Sequence, residues 1–231
     1  MCDDKNLPVV HSAENLTITF PKKNEHIDDK DAEKNRSLIK KDGAYTSDGR
    51  AYVDTVALPH LFATDKKGVN RFYNKLDNKD KLERGSRRLA SVSSVNKEIS
   101  ERLQEPRDTL QRERLRDAEG CVNAMRDAPE LEKIREVEES KNRREQPKLK
   151  AKKIKAENIT ACQLTRAPLE QDADAHHVER QADQPRKARD LSNIIVANKL
   201  PHREVHTAGA ESPEELSALC DEKGWNDPTK S

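Results

Sequence analysis

Four of the seven histidines of this 231-residue chain fall between Asp174 and His206, in the stretch DAHHVERQADQPRKARDLSNIIVANKLPHREVH. Imidazole binds divalent cations and exchanges protons near neutral pH, so this crowding raises both metal binding and acid–base chemistry. His202 and His206 are four residues apart. On a helix their rings project from one face about one turn apart and can share a metal. His176 and His177 are adjacent, and on a strand neighbouring side chains point to opposite faces. One of that pair can complete a metal site while the other faces a substrate.

The elements that must position these rings follow in order. ADAHHVE reads as a strand, RQADQPRKARDL as a polar loop, SNIIVAN as a second strand and LPHREVH as the start of a helix. NIIV is the densest β-branched run in the chain. A final helix is predicted in ESPEELSALCDEKGW, with Ser212 as cap, Pro213 at the first helical position and Glu215 completing a capping box. Gly224 ends it, and Leu216, Leu219 and Cys220 form its buried stripe.

The order HH, then Asn193 sixteen residues after His177, His202 nine later and His206 four later resembles the HNH nucleases, in particular the colicin-type DNases with their ββα-metal fold. RDLSNIIVANKLPHREVH looks like that family's second strand and helix, including its Asp-x-x-Asn approach at Asp190 and Asn193. ACQLTRAPLEQDADAHHV is similar to the lead-in of phage and prophage HNH proteins. The resemblance covers roughly residues 160–210, less than a quarter of the chain.

That resemblance implies His176, His202 and His206 as ligands of one divalent cation and His177 as the general base toward water. It implies Asn193 as the brace that holds the base imidazole in a productive tautomer. The implied partner is DNA, cut to leave 5′-phosphate and 3′-hydroxyl ends. Arg180, Arg186, Lys187, Arg189 and Arg203 surround the site in sequence; Arg180, Arg189 and Arg203 are the candidate phosphate contacts, and solvated loop charge accounts equally well for any one of them. Two departures stand out. The leading pair is HH where many HNH proteins have DH, with Asp174 a weak substitute ligand, and the CxxC knuckle of many relatives is missing. Three imidazoles favour zinc, nickel or manganese over magnesium.

The rest of the chain is very polar: 32% hydrophobic and 38% charged, with seven aromatic residues. So little apolar surface points to small folded islands joined by solvated chain rather than one large core. The expected fold class is α+β, a small C-terminal ββα-metal domain preceded by a mostly helical and partly disordered N-terminal region. Residues 1–44 read as a flexible polar leader with one short strand in NLTITF, and 45–94 as a small helical module. Residues 95–157 read as a charged helical spacer ending in a basic arm, and 158–231 as the nuclease domain.

Within the second of these, residues 51–76 outline two helices joined at TDKKG, compatible with a helix-turn-helix that presents Asn70, Arg71, Asn74 and Lys75 to DNA. Pro59 and the commonness of such helix pairs weigh against it, and packing or docking to a protein partner is the plainer reading. The spacer places Ile99, Leu103, Leu110, Leu115, Val122, Met125, Leu131, Ile134 and Val137 in fragments of heptad spacing, divided by Pro106, Gly120 and Pro129, and is a candidate for self-association. The arm KNRREQPKLKAKKIK, 141–155, carries eight Lys/Arg against one Glu. It fits either a phosphate-backbone contact or a solubilising linker. His11, His26 and His60 have no partners in sequence and read as surface or packing residues.

Cys2, Cys121, Cys162 and Cys220 are too scattered for any CxxC pair, which points to reduced thiols in a cytoplasmic protein. No secretory signal and no membrane-length apolar run is visible. The sequence therefore predicts a cytoplasmic, metal-dependent HNH endonuclease acting on DNA. The alternatives are a non-catalytic DNA-binding regulator using residues 51–76, and a helical scaffold built on 95–146.

Overall fold

A computed structural model of the chain describes residues 9–23 and 25–230, which form a mixed α and β protein dividing into two units between Glu136 and Val137. The first unit is built on a five-stranded antiparallel sheet. Its strands are β1 (Val10–Ser12), β2 (Gly43–Thr46), β3 (Ala51–Asp54), β4 (Lys81–Arg84) and β5 (Arg87–Ser91), in the spatial order β1-β2-β3-β5-β4. Its helices are α1 (Asp29–Asp42), α2 (Leu58–Leu61), α3 (Lys66–Lys75), α4 (Val92–Gln104), α5 (Thr109–Arg126) and the start of α6 (Pro129–Glu145). They enclose one core in which Ile39, Val53, Phe62, Ile99, Leu115 and Met125 are fully buried.

Several expectations for this half are corrected. The first eight residues lie outside the described ones, but the described remainder of the 1–44 leader, 9–23 and 25–44, is folded. Asp28 caps α1 by accepting from the Lys30 amide at 2.8 Å, and acidic residues open the helix while Lys40 and Lys41 close it, as its dipole favours. Ala32, Asn35 and Ile39 then supply a buried stripe. NLTITF joins no strand ladder; Leu16, Ile18 and Phe20 pack on the core from irregular chain.

The 45–94 region is not a helical module, because it contributes most of the sheet. Residues 51–54, expected to open a helix, are the central strand β3. The helix-turn-helix is likewise absent: α2 is a single turn, and only α3 is a full helix. The 95–157 region is no spacer. Most of the apolar positions that suggested self-association serve the unit's own core: Ile99, Leu115, Val122, Met125 and Leu131 are fully buried, while Leu110 and Val137 are exposed. Gly120 does not divide α5 but lies within it, where a Cβ would come within 3.0 Å of Pro21.

A polar network crosses this core. Arg36 donates to both carboxylate oxygens of Asp117, at 3.0 and 3.1 Å, and Asn35 donates to the same carboxylate at 2.9 Å. Arg36 also reaches the carbonyls of Ala32 and Pro21, at 2.7 and 2.8 Å. The pair therefore fastens α1 and the chain before it to α5.

The second unit begins at Val137, earlier than the expected boundary at 158. It contains the end of α6, α7 (Leu149–Glu157), the hairpin of β6 (Asp174–His177) and β7 (Ile194–Ala197), α8 (Lys199–Ala208) and α9 (Pro213–Lys223). α7 packs on the hairpin, so the basic arm belongs to this unit and is not a free tether. Its charges are largely engaged: Lys153 is buried and donates to the Leu191 carbonyl at 2.9 Å, Lys150 donates to the Ala173 carbonyl at 2.6 Å, and Lys148 and Lys152 both pair with Glu145. Cys162, Leu164, Val178, Ile195, Val205 and Leu216 form the core. α9 follows its sequence signals closely, with Ser212 accepting from the Glu215 amide at 3.2 Å and Gly224 in the left-handed conformation, φ +65°. Among the described residues no helix is long and apolar enough to cross a membrane.

His60 supplies a pH test of the first unit. Arg114 donates to its Nδ1 and, at 3.0 Å, to its carbonyl, while its Nε2 is buried without a hydrogen-bond partner. Burial and the Arg114 charge push the imidazole down from its ordinary 6.5 to about 4. Below pH 6.5 the unfolded chain takes up a proton that the folded chain refuses until about pH 4, so this contribution to stability is complete above 6.5 and is lost on acidification. Urea unfolding at pH 7 and pH 4.5 should show a loss of about 3 kcal/mol at most from this group. A His60→Leu variant should show a flatter dependence across the same window.

Candidate metal centre

His176 and His177 lie at the end of β6, where register pairs them with Ile195 and Ile194 of β7. The alternation of a strand turns them to opposite sides. His176 is buried, and its ring stands 5.3 and 5.0 Å, centroid to centroid, from those of His202 and His206 on α8. The latter two are 4.6 Å apart, and all three rings are nearly perpendicular to one another, with interplanar angles of 74–81°. One ring nitrogen from each lies within 4.8 Å of the others.

The electrostatics of this cluster suit a cation. Nε2 of His176 is buried with no hydrogen-bond partner, a costly state for a polar atom unless something outside the chain satisfies it. Nε2 of His202 and of His206 are 3.2 Å apart. Two nitrogens bound tetrahedrally to one zinc ion stand about 3.3 Å apart, so the spacing is already that of a shared ligand pair. Burial and the neighbouring imidazoles push His176 down to about 4, and burial and His206 lower His202 against the opposing pull of Asp174. Both shifts favour the neutral ring, the form that can donate a lone pair. Asp174 is not among the clustered ligands; its carboxylate lies 3.8 Å from Nδ1 of His202, on the side away from His206, where it can orient the ring. The cluster runs from buried His176 to exposed His206, so one side of it is open.

No protein-family model, curated protein or solved structure matches this chain. The chemistry of the site therefore rests on its own residues.

His177 belongs to a second arrangement. Its Nε2 lies 2.9 Å from the Ala188 carbonyl. A carbonyl only accepts, so Nε2 carries the proton and Nδ1 is left with the lone pair. Asn193, buried at the base of the loop between the strands, reaches the residue before Ala188. Asn193 Oδ1 accepts from the Glu179 amide at 2.8 Å, and its Nδ2 donates to the carbonyls of Glu179, at 3.0 Å, and Lys187, at 3.4 Å. The Val178 amide adds a bond to the Asn193 carbonyl at 2.9 Å. Asp190 caps the turn leading to Asn193 by accepting from the amide and hydroxyl of Ser192, at 2.9 and 2.7 Å.

All five proposed site residues with ring or amide chemistry thus sit at the hairpin and α8. The three arginines are placed differently. Arg180 pairs with Glu211 at 2.7 Å and Asp183 at 3.7 Å, Arg189 pairs with Glu138, and Arg203 is exposed on α8. Two positioning residues carry no sequence signal. Lys153 supports the loop from α7 through the Leu191 carbonyl. Asn198 precedes α8 and ties it to the lead-in, accepting from the Glu170 amide and donating to the Pro168 carbonyl, both at 3.0 Å. The β-branched run NIIV announced the strand, but nothing in the sequence announced Asn198 or its long-range partners.

Replacing Asn193 by Ala should strand the Glu179 amide and carbonyl and loosen the loop. The expected cost is roughly 2 kcal/mol in denaturant unfolding, with faster amide exchange at Val178 and Glu179. Imidazole ¹⁵N spectra should show His177 as the Nε2–H tautomer in the wild type and a tautomer mixture in the variant. Unchanged exchange and tautomer would remove Asn193 from the positioning of His177.

Proposed function

We propose that the second unit is a metal-dependent endonuclease that hydrolyses DNA phosphodiester bonds, with β6, β7 and α8 as its ββα-metal centre. The observation that carries this reading is the division of labour between adjacent histidines. His176 turns an unsatisfied, buried Nε2 toward two further imidazoles, while His177 is fastened through Nε2 and keeps Nδ1 free. A structural metal site needs only the first arrangement; hydrolysis needs both.

In this reading His176, His202 and His206 hold one divalent cation, zinc, nickel or manganese by the softness of the donor set, with magnesium less well suited. When bound, the cation supplies positive charge and Lewis acidity toward a phosphodiester oxygen. Nδ1 of His177 accepts one proton of the attacking water as the new P–O bond forms and the P–O3′ bond breaks, and the departing 3′-oxygen takes its proton from solvent to leave the 3′-hydroxyl. The Ala188 carbonyl stabilises the resulting imidazolium through the Nε2–H it already accepts. Asn193 ties Glu179 to the carbonyl of Lys187, next to Ala188, so in this reading the loop is already ordered before proton transfer. Asp174 keeps His202 turned toward the cluster. Arg203, exposed on α8, is available to a phosphate; Arg180 and Arg189 must first leave their carboxylates.

The purified chain should bind about one divalent ion per molecule and nick supercoiled plasmid with Mn²⁺ or Ni²⁺, and EDTA should abolish nicking. His202→Ala should lose both metal and activity. His177→Ala should retain the metal, measured by elemental analysis after gel filtration, while its nicking rate falls roughly 10²- to 10⁴-fold. Wild-type cutting by His177→Ala would sink the base assignment, and absence of metal uptake by the wild-type chain would sink the centre.

A further inference from the structure

The net charge of +1 hides an uneven distribution: residues 66–88 carry nine Lys/Arg and three Asp/Glu. In the first unit this segment folds into α3 and the β4–β5 hairpin. Val69, Phe72 and Tyr73 of α3 face the core, which leaves Lys67, Asn70, Arg71 and Asn74 exposed on the opposite face. At 1.5 Å per residue that stripe runs about 10 Å along the helix axis.

The hairpin is docked against the same helix. Arg88 of β5 donates to Asn70 Oδ1 at 2.8 Å and its guanidinium lies 5.1 Å from the centre of the Tyr73 ring. Lys81 of β4 donates to the Asn74 carbonyl at 3.2 Å and sits 5.7 Å from that ring on its own account. The hairpin then ends in the exposed turn Arg84-Gly85-Ser86, where Gly85 takes φ +56° and lies clear of every neighbour. The acidic groups of the segment are confined. Asp80 accepts from Ser91, and Asp77 lies with Lys75, Lys97, Glu98 and Glu101 around a cleft of about 290 Å³ at the far end of α3. Asp65 caps the start of α3 by accepting from the Gly68 amide, and Glu83 faces Arg88 across the hairpin ladder.

We propose that the exposed face of α3, flanked by the β4–β5 hairpin, binds double-stranded DNA. The stripe consists of arginine, lysine and asparagine, the side chains that pair with guanine and adenine edges in the major groove and with phosphates. A rigid helix fits the B-form major groove, whereas the major groove of A-form RNA is too narrow to admit one. The hairpin tip brings Arg84 to the flanking backbone. A protein or membrane partner is disfavoured by composition, because the exposed large hydrophobic residues among those described, Val9, Val56, Leu110, Val137 and Leu200, all lie outside α3 and the hairpin. The helix-turn-helix expectation put its DNA-facing residues on this same helix, whose companion in the structure is a hairpin. This surface lies in the first unit and does not depend on cleavage by the second.

The test is fluorescence anisotropy of the full chain in EDTA on a labelled duplex of about 25 base pairs at several salt concentrations. Lys67→Ala/Arg71→Ala should weaken binding about ten-fold or more, and Arg84→Ala should lower the salt slope by about one. The charge-matched control Lys22→Ala/Lys30→Ala should bind as the wild type, and melting by circular dichroism should confirm that all variants fold. Wild-type affinity in the α3 double variant, or equal losses in the control, would overturn the proposal. Equal affinity for duplex RNA would overturn the groove assignment. Because EDTA silences any cleavage, failure here is distinguishable from failure of the nuclease reading, which is scored by nicking with metal.

Discussion

The second unit is organised around one buried nitrogen. Nε2 of His176 has no partner within the chain, and leaving such a group dry costs roughly 1–3 kcal/mol. That cost is sustained only because the ring is held where it is by its neighbours on both sides. The strand is paired residue by residue with β7, and Ile195, Val205 and Leu216 fasten the hairpin, α8 and α9 into one small core. Apolar burial of that kind contributes about 25 cal/mol per Å², enough for a few large side chains to offset one stranded polar atom. A missing ion ligand would therefore be felt as instability, and a bound cation as stabilisation, without any change in the surrounding packing.

Two helical turns and four strand residues position the three clustered imidazoles, but the setting of His177 depends on a loop. Residues 178–193 contain Pro185 and much charge, a composition that would ordinarily leave so long a connection mobile. Asn193 makes it rigid by acting as a short piece of extra strand: one amide group reproduces both the donor and the acceptor that the backbone lacks at Glu179. Lys153 adds a second anchor from below. The charged side chain is buried because its stem covers apolar surface while its ammonium finds a carbonyl and the Glu157 carboxylate.

The hairpin, α8 and α9 were legible because their signals are local. A β-branched run, an i,i+4 histidine pair and a Ser-Pro-x-Glu cap each specify their element within a few residues. The sheet of the first unit was not legible. Its strands are three to five residues long, two of them, KLER and RRLAS, are heavily charged, and β3 finds β5 across more than thirty residues of intervening chain. Periodicity cannot see such pairing, since most of the stabilisation comes from neighbours far away in sequence. The misread leader has the same cause. α1 is polar on most of its surface, and its buried positions include Asn35, whose partner Asp117 lies 82 residues ahead.

That last pair explains how a chain with 32% hydrophobic residues fills a core at all. Low apolar content argues for solvated linkers only if every charged residue must stay in water. Here the Asp117 carboxylate is buried and takes a bidentate pair from the half-buried Arg36 and a further bond from Asn35, so a charged group occupies interior volume that an apolar residue would otherwise fill. The consequence is specificity more than strength: such an ion pair contributes little net stability over well-packed apolar residues, but removal of Arg36 leaves the Asp117 charge buried and typically costs about 3–5 kcal/mol. A sequence rich in Arg and Asp can thus define a unique packing of α1 on α5 while looking, position by position, like exposed chain.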